Sequence, residues 1–79
     1  MQFKVYYSYD IKDKQSNYAA GDKNAFVIEA DDRRLIDSKI IIARIQQIAK
    51  EKCATLGKGH TVFYANYYKI EKLEGDEST

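Results

Sequence analysis

A helical repeat over residues 32–56 lies between two runs rich in aromatic and β-branched residues, and this order limits the fold more than any other feature of the chain. Two strands joined through a helix run parallel with a right-handed crossover. An earlier run, Phe3-Lys4-Val5-Tyr6-Tyr7-Ser8-Tyr9, places Phe3, Val5, Tyr7 and Tyr9 on one face and Lys4, Tyr6 and Ser8 on the other, the period of a strand. That strand fits between the other two, antiparallel to both. The expected fold is α+β: a single ββαβ domain with a three-stranded mixed sheet in order 2-1-3 and one long helix packed on one face. Residues 1–73 are expected to form this domain, and the polar residues 74–79 a frayed tail.

The second strand reads as Ala25-Phe26-Val27-Ile28-Glu29-Ala30, closed by Asp31-Asp32. Residues 10–24 before it are mostly charged and polar and hold Gly21 among Asp and Asn neighbours, so they read as a long loop. Asp31 or Asp32 suits a helix N-cap, where a short carboxylate accepts the free amides of the first turn. Lys50 and Lys52 suit the other end, with Gly57 just beyond. Ser38 is a point where a kinked helix can restart. From His60 to Leu73 the chain reads as a third, long strand.

At seventy-nine residues there is room for one core and no large catalytic cleft. Thirteen basic and twelve acidic side chains leave a net charge of +1, so the summed field does not draw the chain to nucleic acid or an anionic membrane. Cys53 is the single cysteine, which rules out an internal disulfide and fits a reducing cytoplasm. The first seven residues alternate, unlike the apolar stretch of a secretory signal. The longest aliphatic run, Ile40-Ile41-Ile42-Ala43, is far short of the roughly 18 residues of a membrane span. The expected setting is cytoplasmic, without a membrane partner.

At 100° per residue, Ile41, Ile42, Ile45, Ile48, Ala49, Cys53 and Leu56 share a stripe assigned to the sheet-facing core. Ile36, Ile40, Ala43 and Gln47 form a smaller seam elsewhere, accounted for by the 10–24 loop folding over it, by a helix kink near Ser38, or by an interface. On the sheet, Phe3, Val5, Tyr7, Phe26, Ile28, Val62, Tyr64, Tyr68 and Ile70 are expected to face the helix. Tyr6, Val27, Phe63 and Tyr67 are then left on the opposite face. That aromatic face reads first as a protein contact surface, together with Tyr18 in the loop. The alternative is a stacking platform for unpaired bases, with Lys4 and Lys69, and also Arg33 and Arg34, neutralising phosphate. The third strand, as an edge, offers a route to a homodimer.

Catalytic and cofactor signals are weak. Glu29, Asp31 and Asp32 cluster at a strand–helix junction, where caps are commoner than metal sites. His60 stands alone, and Cys53 has no neighbouring base in the sequence. Gly57-Lys58-Gly59-His60 leaves a helix and enters a strand, the reverse of a phosphate-binding loop. No enzyme activity, catalytic residue, metal or cofactor is expected.

The run Phe26-Val27-Ile28-Glu29-Ala30-Asp31-Asp32, a long helix, Gly57 and an aromatic strand together resemble, in layout, small phage and mobile-element proteins that modulate their hosts, including some anti-CRISPR proteins. The resemblance spans most of the chain and implies action without catalysis, by occupying a surface on a host protein or ribonucleoprotein complex. It transfers no site residue, because there is no shared motif to align.

Overall fold

The computed structural model describes residues 1–73. The elements are β1 (Gln2–Lys12), β2 (Tyr18–Glu29), a 3-10 turn (Arg33–Leu35), α1 (Ser38–Leu56) and β3 (Thr61–Leu73). The sheet order is β2-β1-β3, with both ladders antiparallel, so β2 and β3 run the same way on either side of β1. This is the expected ββαβ arrangement. The expectation for residues 74–79 lies outside the described residues.

β1 carries the core. Phe3, Val5, Tyr7, Tyr9 and Ile11 are buried in strict alternation, and α1 adds Ile41, Ile45 and Ala49 at four-residue spacing. Around them pack Ile48, Cys53 and Leu56 of the helix and Val62, Ala65, Tyr67 and Ile70 of β3. A central strand has neighbours on both edges and a helix above, so its inward side chains lose nearly all contact with water.

The first two strands are longer than the sequence suggests. Most of residues 10–24 are strand: β1 runs on to Lys12, β2 begins at Tyr18, and only residues 13–17 turn. The alternation Tyr7, Tyr9, Ile11 continues past Asp10 and keeps adding apolar area to the core face, which outweighs the polar residues on the other side. Asp13 organises the turn, its Oδ1 accepting the amides of Gln15 and Asn17, both at 2.9 Å. Ser16 takes the positive φ of 65° that closes it.

The expected single helix over 32–56 is divided. Asp32 caps the short 3-10 turn by accepting the Arg34 amide, and Asp37 caps α1 by accepting the Lys39 amide at 2.9 Å. Two helix starts thus compete within six residues, and the second owns the core stripe. At the far end Gly57, with φ 106°, donates its amide to the Cys53 carbonyl. Among the described residues no helix is long and apolar enough to cross a membrane.

Candidate functional site: an open aromatic face and an uncovered strand

One helix cannot cover three strands, since strands lie about 4.8 Å apart and a helix is about 10 Å wide. α1 packs on β3 and β1 and scarcely meets β2. Two surfaces stay open as a result: the whole sheet face opposite the helix, and the β2 side of the helix-bearing face.

The open face is aromatic, but with a different membership from the expected one. Two irregularities in the β1–β3 register, between Tyr6 and Tyr7 and between Asp10 and Ile11, shift β3 against β1. Each adds a residue to β3 and moves the following side chains to the other face. Tyr67 therefore pairs with Tyr7 and packs on the core, correcting its expected place on the open face. Tyr64, paired with Asp10, and Tyr68, against Tyr6, leave the expected helix side and are 45% and 58% exposed. Phe63, at the second irregularity, is exposed as expected, and so is Val27.

Tyr6 sits at the middle of this face. Its ring centroid lies 6.3 Å from that of Tyr68, and the ammonium groups of Lys4 and Lys69 each stand 5.3 Å from its centroid. Its hydroxyl donates to Glu71 Oε1 at 2.8 Å, and that acceptor holds the phenol above its ordinary range. Lys4 and Lys69 thus reach the face as expected, though over Tyr6 and close to a carboxylate. Tyr18, expected in a loop, is the first residue of β2 and is highly exposed. Its hydroxyl lies near Gly21, where an added Cβ would stand 2.8 Å from it and 2.7 Å from Asp10 Oδ1.

Arg33 and Arg34 occupy the 3-10 turn, not the strands of the platform, and Arg34 is engaged by Asp32 at 3.2 Å. The Arg34 amide is the main reason the Asp32 carboxyl sits below its usual range, with the guanidinium adding to it. Asp32 is thus a cap, as the sequence suggests, while Glu29 and Asp31 are exposed. His60 Nδ1 is 3.1 Å from the Gly57 carbonyl. His60 and Cys53 line one shallow recess with Lys50 and Val62, a proximity across the α1–β3 connection that sequence spacing did not reveal. Among the described residues there is no group of three or more His, Cys, Asp or Glu arranged to hold a metal.

On the helix-bearing side, the gap beside β2 is a cleft of about 210 Å³. Phe26 and Ile28 form its floor, and Leu35, Ile36 and Ile40 its wall. The Arg44 guanidinium lies 4.3 Å above the Phe26 ring and closes one end. Ile36 packs against the core, so it does not stand free with Ile40; Ile40 and Leu35 are 69% and 67% exposed. Of the expected seam, Ile36 and Ile40 form the wall of this cleft, joined by Leu35, while Ala43 and Gln47 lie outside it.

Comparisons with protein-family models, curated proteins and solved structures return no match for this chain.

Proposed function

We propose that this chain is a non-enzymatic protein-binding module whose contact surface is the open sheet face. In line with the layout resemblance, it acts as a phage-type inhibitor or modulator of a host nucleic-acid-processing complex in the cytoplasm. The observation that carries the reading is the grouping of Tyr64, Tyr68, Phe63, Tyr18 and Val27, all exposed, on a sheet face that no element of the chain covers. Aromatic side chains of this kind supply contact area at low entropic cost and dominate interface energetics.

The second reading, an RNA or single-stranded DNA binder, draws on Lys4 and Lys69 over the same face. Against it, both lysines stand against the Tyr6 ring, where a base would stack, and Glu71 adds negative charge beside it. The protein reading is therefore preferred.

The test is affinity capture from a lysate of the natural host, with and without nuclease, comparing the native chain with a Phe63→Ala/Tyr68→Ala variant of unchanged circular dichroism. One stoichiometric protein that survives nuclease and is lost in the variant supports the module. Capture of RNA or DNA, with proteins lost after nuclease and affinity falling steeply with salt, replaces it with the stacking platform. Capture unaffected by the double variant removes the open face from the function.

A further inference from the structure

We propose that the free edge of β2 is the docking site for a second copy of this chain, β2 pairing with β2 about a two-fold axis through Val27.

The Lys23 and Ala25 amides donate to the Asp22 and Asn24 carboxamide or carboxylate oxygens, each at 2.8 Å, so these amides point away from β1. In an antiparallel ladder alternate residues turn their backbone groups to the same side, which places those of Val27 and Glu29 on the same free edge. In place of a partner strand, the Asp22 and Asn24 oxygens hold these two amides, so on pairing Lys23 and Ala25 exchange local side-chain acceptors for the partner's carbonyls, while Val27 and Glu29 pair directly.

The edge is also self-complementary about Val27. A two-fold axis normal to the sheet keeps both helices on one face and pairs residues equally distant from Val27. Val27 then meets Val27 of the partner subunit, and Phe26 meets Ile28 of the partner subunit. Ala25 meets Glu29 of the partner subunit, and Lys23 meets Asp31 of the partner subunit. Phe26, Val27 and Ile28 face apolar residues, Ala25 faces Glu29, and Lys23 faces Asp31, a pair of opposite sign that occurs twice; the like-charged Asp22 and Asp32 would meet only one step further, past the end of β2 at Glu29. Moving the axis one residue toward the N-terminus sets Ile28 against Asn24, and moving it the other way leaves Lys23 beyond the pairing.

The contrast with β3, the edge that the sequence favours for dimerisation, points the same way. Two register irregularities interrupt β3, while β2 is regular from Ala20 to Glu29. Bulges bend and twist an edge away from pairing. Pairing at β2 also brings the two apolar clefts floored by Phe26 and Ile28 side by side, joining them into one shielded trough between the helices.

Sedimentation equilibrium of the full chain tests the proposal. The expected mass is twice the 9.1 kDa of the chain. Lys23→Glu sets like charges against each other twice, and is expected to raise the dissociation constant by about tenfold. The charge swap Lys23→Glu/Asp31→Lys is expected to restore it. Both sites are exposed, so the fold tolerates the changes, as circular dichroism checks. A single-chain mass up to about millimolar concentration, or a dimer indifferent to Lys23→Glu, overturns the proposal. So does a dimer abolished by Tyr68→Ala while Lys23→Glu leaves it intact, which would place the interface on the open face.

Discussion

Ile40 and Ile45 are the same residue type on the same helix, five positions apart, yet one is 69% exposed and the other 0%. Replacing each with Ala should give very different outcomes. Ile45→Ala removes three buried carbons, worth about 2.4 kcal/mol at about 0.8 per methylene. The cavity left among Val5, Ile41 and Ala49 adds about 1–2 kcal/mol, since a helix clamped on a sheet collapses little. The better helix propensity of Ala returns about 0.4 kcal/mol, for a net cost of about 3–4 kcal/mol. A domain of this length has about 4–12 kcal/mol in total, so the variant loses a large share of it. Its midpoint of thermal unfolding should fall by about 12–32 °C. Ile40→Ala gives up little buried area and gains the same propensity, leaving a change within about 0.5 kcal/mol. The assay is urea unfolding followed by circular dichroism, repeated at two protein concentrations so that association is separated from folding. A cost below about 1 kcal/mol for Ile45→Ala, or equal costs for the two variants, would refute this assignment of the core.

Three further outcomes are expected. Gly21→Ala puts a methyl carbon 2.8 Å from the Tyr9 carbonyl oxygen as well as against Asp10 and Tyr18, and should cost about 1–3 kcal/mol in the same unfolding assay; an unchanged midpoint would contradict the close approach. Asp37→Ala removes the α1 cap and should cost about 1 kcal/mol, whereas Asp32→Ala, which uncaps only the short 3-10 turn, should cost less. Tyr6 in the fold favours its neutral form, because its hydroxyl donates a hydrogen bond to Glu71 and this raises the phenol above 10.0. Its contribution is therefore full below the unfolded value and lost as pH rises through the folded one. Glu71→Gln should move the Tyr6 titration, followed by NMR, back down toward 10.0; a midpoint that stays put would show that Glu71 does not set it.

Sheet order, strand directions and the inward stripe of α1 were legible because each rests on a periodicity that burial enforces: two for Phe3 to Tyr9, 3.6 for Ile41 to Leu56. What was not legible depends on events of a single residue. The slips beside Tyr7 and Ile11 leave no compositional mark on β3, yet they exchange Tyr67 for Tyr68 and bring Tyr64 to the open face. Extrapolating the alternation from Ile70 back to Val62 could not foresee them. The hairpin of β1 and β2 was hidden by polar residues at 10–24, although Ile11 in phase with Tyr9 and the Asp13 to Asn17 turn chemistry were available as signals. The break before Ser38 was visible as a competing start, but only tertiary packing decides which aspartate caps the long helix.

The two proposed surfaces overlap at a single residue. The aromatic contact group lies mainly on β3, with Tyr18 and Val27 on β2, while the pairing edge runs from Lys23 to Asp31 around Val27. Only Val27 belongs to both, and it sits at the seam. A two-fold axis normal to the sheet joins two three-stranded sheets into one of six strands, with both helices on one side and both aromatic faces on the other. The proposed dimer would present two copies of Tyr64 and Tyr68 in the same direction. Binding to a host complex with repeated subunits then gains from effective concentration, and no contact beyond those of the single chain is required. A chain of this size has too little core to build a deep recognition cleft. Leaving one sheet face and one strand edge uncovered is the arrangement by which so small a fold can offer both a contact surface and the means to duplicate it.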